Sequence, residues 1–359
     1  MVYRLPEIIN KTAIYDKILP NINRKYRELK ENEQVGISLV QTVQIYSNAL
    51  PLLMSTFGIL RKVSGRSVYL ELSYNPRLLS YLDNIGFFHI LSEYGIIEYD
   101  EEYIGDLWDY KYNNHNQILK YESIKDDEDT DDNLLRDEIS EKIRSDLLDT
   151  SFFLRNNKLK GDQLRYVCLT TVTELIVNAI IYSGSLSYAY VQSGMKFSET
   201  KKGYLISVCD AGHGFYYSLG EKIKNDKNTS SKYKRYTQKQ RTDFYQYAEN
   251  LGIDVDEELN FLSIMEALYF SKTQTRDMNL YQLKELLVLS NANLRIHQGN
   301  REIVFTSETC RKCTDRDILN CVKCIWEKRK RHYTPLKCYN VSLAGVHIEV
   351  EIIKENRNV

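Results

Sequence analysis

"TELIVNAIIYSG", residues 173–184, has the period of a buried helix interrupted by two polar residues one turn apart. Val172, Leu175, Ile176, Ala179 and Ile180 recur at spacings of three and four and are expected to face a core. Thr171, Glu174, Asn178 and Tyr182 form a second stripe on the same helix. A polar stripe is ordinarily the wet side of an amphipathic helix. Whether this one is a surface or a site depends on what the chain offers beside it.

A second segment, "LISVCDAGHGF" (205–215), reads as an apolar strand that runs into Asp210, with glycines at 212 and 214. A carboxylate there can accept a hydrogen bond from an exocyclic amine such as adenine N6. Glycines let backbone approach a ring or a phosphate with no Cβ between them. Asn178 offers a neutral oxygen to Mg²⁺, an ion that keeps several waters and bridges phosphates. Glu174, one turn earlier, is placed to polarise a water for attack on a terminal phosphate.

In this order, "ELIVNAIIYSG" and "DAGHGF" resemble the N box and first glycine box of the GHKL ATPases, the group of gyrase B subunits, histidine kinases and anti-sigma-factor serine kinases. The resemblance covers residues 140–353. It implies that Glu174 activates water and Asn178 binds Mg²⁺. It also implies that Asp210 binds adenine, that Gly212 and Gly214 are the glycines of its box, and that Tyr182 is a further nucleotide-binding residue. The form "NAIIYSG" looks closest to the histidine-kinase and anti-sigma branch. No paired helical motif surrounds any of the six histidines, which disfavours a histidine kinase. The second glycine box of the family is missing: "RDMNLYQL" carries Asp277, Met278 and Asn279 where glycines would present N–H groups to the phosphates. Two readings follow. Base and magnesium hold the nucleotide beneath a basic lid, "KNDKNTSSKYKRYTQKQR" (224–241), or catalysis has decayed while the pocket persists.

At 359 residues two domains are expected, and a net charge of −1 gives no global pull towards nucleic acid or membrane. No signal or spanning segment is visible, so a soluble, cytoplasmic protein is expected. Residues 1–125 read as βαβα. The stretch 43–88, ending in "YLDNIGFF", resembles a STAS-type domain. "DDEDTDD" lies in an acidic linker assigned to 126–139. Residues 140–359 read as a two-layer α/β sandwich, of GHKL (Bergerat) type by the resemblance, with "NLRIHQ" and "REIVF" as a hairpin about Gly299-Asn300.

"CRKCTDRDILNCVKC" places Cys310, Cys313, Cys321 and Cys324 as C-x2-C-x7-C-x2-C, a spacing that suits a structural zinc knuckle inserted over 307–337. Cys168 and Cys209 lie in apolar runs and are expected in the core. The basic "EKRKRHY" (327–333) offers a patch to nucleic acid or an acidic partner, or is simply a soluble surface. The function expected is an ATP-binding regulatory switch in which Mg-ATP, with or without slow hydrolysis, orders a lid or a homodimer interface and alters contact with a protein partner. The alternatives are an anti-sigma-type serine/threonine kinase and an inactive scaffold that binds protein or nucleic acid through its zinc knuckle.

Overall fold

The structure, a computed structural model, describes residues 2–26, 33–101, 116–121, 137–141, 162–183, 185–196, 201–225, 236–273, 279–290, 292–306, 309, 317–329 and 335–355. It is a mixed α/β protein with one parallel and one antiparallel main sheet. Among these residues no helix is long and apolar enough to cross a membrane.

The first unit follows the βαβα rhythm. Strands β1 (Val2–Arg4), β3 (Gly36–Ser38), β5 (Val68–Glu71) and β6 (Ile97–Glu98) lie parallel in the order β1-β3-β5-β6, and the short β2 (Ile8–Ile9) and β4 (Gln44–Ile45) pair beside them. Between β2 and β3 runs a helical stretch of α1 (Lys11–Ala13), a π-helical turn at Ile14–Ile18 and α2 (Leu19–Tyr26). Helix α3 (Leu50–Ser64) opens with Pro51 in its first turn and stops at Gly65, whose φ of 70° is costly for any residue with a Cβ. Asn75 caps α4 (Pro76–Asn84) by accepting from the Arg77 and Leu78 amides at 3.0 and 3.4 Å. Gly86, at φ 76°, turns the chain into α5 (Phe87–Glu93).

In the second unit β7 (Asn116–Tyr121), β8 (Ser187–Lys196), β9 (Lys201–Asp210), β10 (Asn293–Phe305) and β11 (Leu336–Glu355) form an antiparallel sheet ordered β10-β11-β9-β8-β7. Side chains alternate across such strands. One face, with Val208, Ile296, Ile348 and Val350, packs under α6 (Asp162–Ser183), α9 (Leu259–Thr273) and α10 (Leu280–Leu289). The opposite face carries Tyr188, Tyr190, Ser207, His297, His347 and Glu349, and it is buried too. The first unit covers it: Tyr188, Tyr190, Cys209 and Leu343 join the core built on α3. Tyr81 bonds Tyr190 at 3.0 Å, and Ser47 donates to Gln192 at 2.5 Å.

Four segments differ from the sequence expectation. Residues 293–305 are a single strand, not a hairpin, because both halves pair with β11; Gly299-Asn300 sits at a register shift, with Gly299 at φ 58° and no room for a Cβ beside Asn260. Residues 116–121, assigned to the first domain, form the edge strand of the second sheet. The acidic tract 126–132 lies outside the described residues, whereas 137–141 are helical. Cys321 and Cys324 sit on a regular helix, α11 (Ile318–Lys328), rather than on a turn. Asp317 caps that helix through the Leu319 amide, and Cys321 packs into the core with Ile318, Val322 and Ile325. Cys310 and Cys313 lie outside the described residues, and no cluster of three or more metal-ligating groups occurs among the described ones.

Because aromatic groups of the second sheet complete the first core, the two units are expected to unfold together. Urea denaturation followed by tyrosine fluorescence and by circular dichroism should give one coincident transition. Phe57→Ala, in that shared core, should lower its free energy by about 3–5 kcal/mol without splitting it.

Candidate functional site

A cavity of about 980 Å³, counting its open mouth, lies between the apolar face of the sheet and its helices. The two motifs converge there. Asn178 and Ser183 from α6, Asp210 from the end of β9 and Gly214 at the start of α7 (Gly214–Asn225) all line it. Its walls are mostly apolar and include Leu175, Val208, Phe215, Phe270 and Ile348.

Asp210 is 5 % exposed, and its Oδ1 is held from two sides. The Gly212 amide donates to it at 2.9 Å, and the Val346 amide, 136 residues further on, donates at 3.3 Å. Oδ2 has no hydrogen-bond partner among the described residues. Burial pushes the carboxyl up to about 7, against the opposing effect of the two amides. The group can therefore accept from an amine once ionised, with its orientation already set.

The glycines act by close approach of backbone to protein. A Cβ on Gly212 would lie 2.1 Å from the Ser183 carbonyl, so its absence seats the turn against the end of α6. Gly214, at φ 76°, rests on the Gln298 side chain. Gln298 Oε1 accepts from the Phe215 amide at 2.8 Å, while its Nε2 donates to Ser263 at 2.6 Å. It thereby caps α7 and ties it to α9. Gly345, at φ 79°, would place a Cβ 2.1 Å from the Asp210 carbonyl, and only a glycine lets β11 come near enough for the Val346 bond.

Glu174 lies one turn from Asn178 on the same stripe, 7 % exposed and outside the cavity lining. The side chain of Tyr182 lies outside the described residues. Helix α10 begins at the cavity, where glycines were looked for. Its N-cap Asn279 accepts from the Gln282 amide at 3.0 Å, so that donor is already satisfied within the helix. Sequence reasoning missed Lys222, which lines the cavity with its ammonium 5.2 Å from the centre of the Phe270 ring. Its position two turns beyond Gly214 on an amphipathic helix was the available signal. Phe270 and Ser271 are held by α9, which is fixed to α8 (Gln238–Asn250) through Arg241 and buried Glu266 at 3.1 Å and through Tyr245, which donates to Glu266 at 2.7 Å.

Gly345→Ala should cost roughly 2 kcal/mol or more in chemical denaturation, because it combines a forbidden φ with a backbone clash. Asp210 makes a pH prediction. Its folded-state pKa is raised, so its contribution to stability is full below the unfolded value of about 4. That contribution falls as pH rises towards the folded value of about 7. Between those limits wild type should lose stability relative to Asp210→Asn, which thermal melts across pH will measure. A scan against protein-family models and comparisons with curated proteins and with solved structures find no match to the chain.

Proposed function

We propose that the chain is an ATP-binding regulatory protein in which Mg-ATP, bound in this cavity in the manner of the GHKL ATPases, switches conformation or partner binding. One observation carries the reading: Asn178, from one motif, and Asp210 and Gly214, from the other, line the same apolar cavity. In this reading the purine lies between the apolar walls with its amine on Asp210 Oδ2. Lys222 would serve the phosphate end, and the Asn178 amide oxygen would help to hold Mg²⁺, which would neutralise phosphate charge. The parallel sheet of the first unit supports its assignment as STAS-like. A structural zinc on Cys310, Cys313, Cys321 and Cys324 belongs to the same proposal, and elemental analysis should give one zinc per chain.

The self-capped start of α10 favours binding over turnover as the main output, since the phosphates gain one fewer backbone donor there. Glu174, which is not among the lining residues, fits slow hydrolysis at most.

Calorimetric titration of Mg-ATP tests the assignment. Asp210→Asn should keep its oxygen on the two amides and so present an NH₂ group where Oδ2 faces the ligand amine. Donor then meets donor, and affinity should fall at least about tenfold with the fold intact. Affinity for wild type should rise about tenfold between about pH 6 and 8 as the carboxyl ionises. Lys222→Met should weaken Mg-ATP more than adenosine. Glu174→Ala should abolish any phosphate release and leave binding in place. If no adenine compound gives heat with wild type, the proposal is wrong.

A further inference from the structure

Strand β11 has one side in the cavity and the other in the contact with the first unit. Val346 and Ile348 line the cavity, and the Val346 amide holds Asp210. The residues between and after them point the other way. His347 meets Ser207 at 2.9 Å, and Glu349 takes Arg295 at 3.1 Å. Two segments of the first unit close on this face. The Lys11 ammonium pairs with Glu302 and lies 3.8 Å from Glu349, and Asn48 donates to Glu349 at 3.3 Å. Tyr15 stacks on His297 with ring centres 4.3 Å apart and planes 9° from parallel, and Tyr339 flanks both rings. Four consecutive residues, 346–349, thus serve two sites through one backbone, with no intervening layer to absorb a shift.

We infer that Lys11 is a positioning residue for the cavity, and that docking of the first unit and occupancy of the cavity are coupled through residues 346–349. The inference rests on the nucleotide reading only for the identity of the ligand. Glu302 and Glu349 are buried, so a change in the lie of β11 alters how well Lys11 can serve both carboxylates. Coupling of this kind is reciprocal: whatever Asp210 gains from a docked Lys11, Lys11 gains from a filled cavity.

Hydrogen exchange by mass spectrometry and calorimetry on the full chain test it. In the absence of ligand, Lys11→Met should speed exchange of the Ala211 and Gly212 amides across the sheet, and Asp210→Ala, which takes the acceptor from the Val346 amide, should speed exchange in residues 11–26. Mg-ATP affinity should fall about fivefold or more in Lys11→Met and return to within about twofold of wild type in Lys11→Arg. Asn48→Ala, which removes one hydrogen bond and leaves the ion pairs, gives a smaller shift in the same direction should Lys11→Met fold poorly. Exchange changes confined to each variant's own side of the sheet, with Mg-ATP affinity unmoved, would overturn the inference. Cross-sheet exchange effects in a protein that binds no Mg-ATP would uphold the coupling and remove the nucleotide reading.

Discussion

Two carboxylates, Glu302 and Glu349, lie 0 and 2 % exposed on the face of the antiparallel sheet turned to the first unit. A charge in such a place persists only beside a cation, because its lost hydration is worth several kcal/mol. Burial drives Glu302 upward, yet Lys11, and after it Lys337, outweigh burial and leave the carboxyl below its usual range. Glu349 shows the opposite balance. Burial raises it despite Lys11 and Arg295. The histidines on the same face are held neutral: burial lowers His297 to about 4 and His347 well below the usual value. Lys11 comes from the first unit, so the second sheet is electrostatically complete only with the first unit in place. The arrangement of the two halves follows from that requirement.

Much of this was legible in the chain, for identifiable reasons. Helix α6 is long and largely apolar around Glu174 and Asn178, and β9 is a continuous apolar run ending at Asp210, so both motifs were read on the right elements. The βαβα order of the first unit followed from the basic residues that end the helix before β5 and from Asn75-Pro76 opening the one after it. Residues 293–305 were misread because Gly-Asn between apolar runs is a local turn signal, while the strand is set by a partner some forty residues on. Likewise "VHIEVEII" alternates as a half-wet strand should. Its polar side is covered instead, by residues more than three hundred positions earlier, and no local pattern reports that.

The site divides in the same way. Asn178, Asp210 and Gly214 could be named from sequence because two short motifs carry them. Lys222 and Phe270 were missed, since the cavity wall is assembled from four helices whose packing is a tertiary fact. Gly345 was equally hidden. Its role is to let a distant strand reach Asp210, and nothing in "SLAGVHI" announces the contact.

Gln298 carries a consequence of its own. The Phe215 amide donates to its oxygen, its nitrogen donates to the Ser263 hydroxyl, and Ser263 donates in turn to the Asn260 carbonyl at 3.1 Å. Every bond in this relay points the same way, from the first turn of α7 into the backbone of α9. An amide has no symmetric alternative: rotating Gln298 by half a turn sets donor against donor at Phe215 and turns its oxygen to a hydroxyl whose proton is already committed. A glutamate would fail at that second contact too. The start of α7 is therefore tied to α9 with a single polarity, set by one carboxamide.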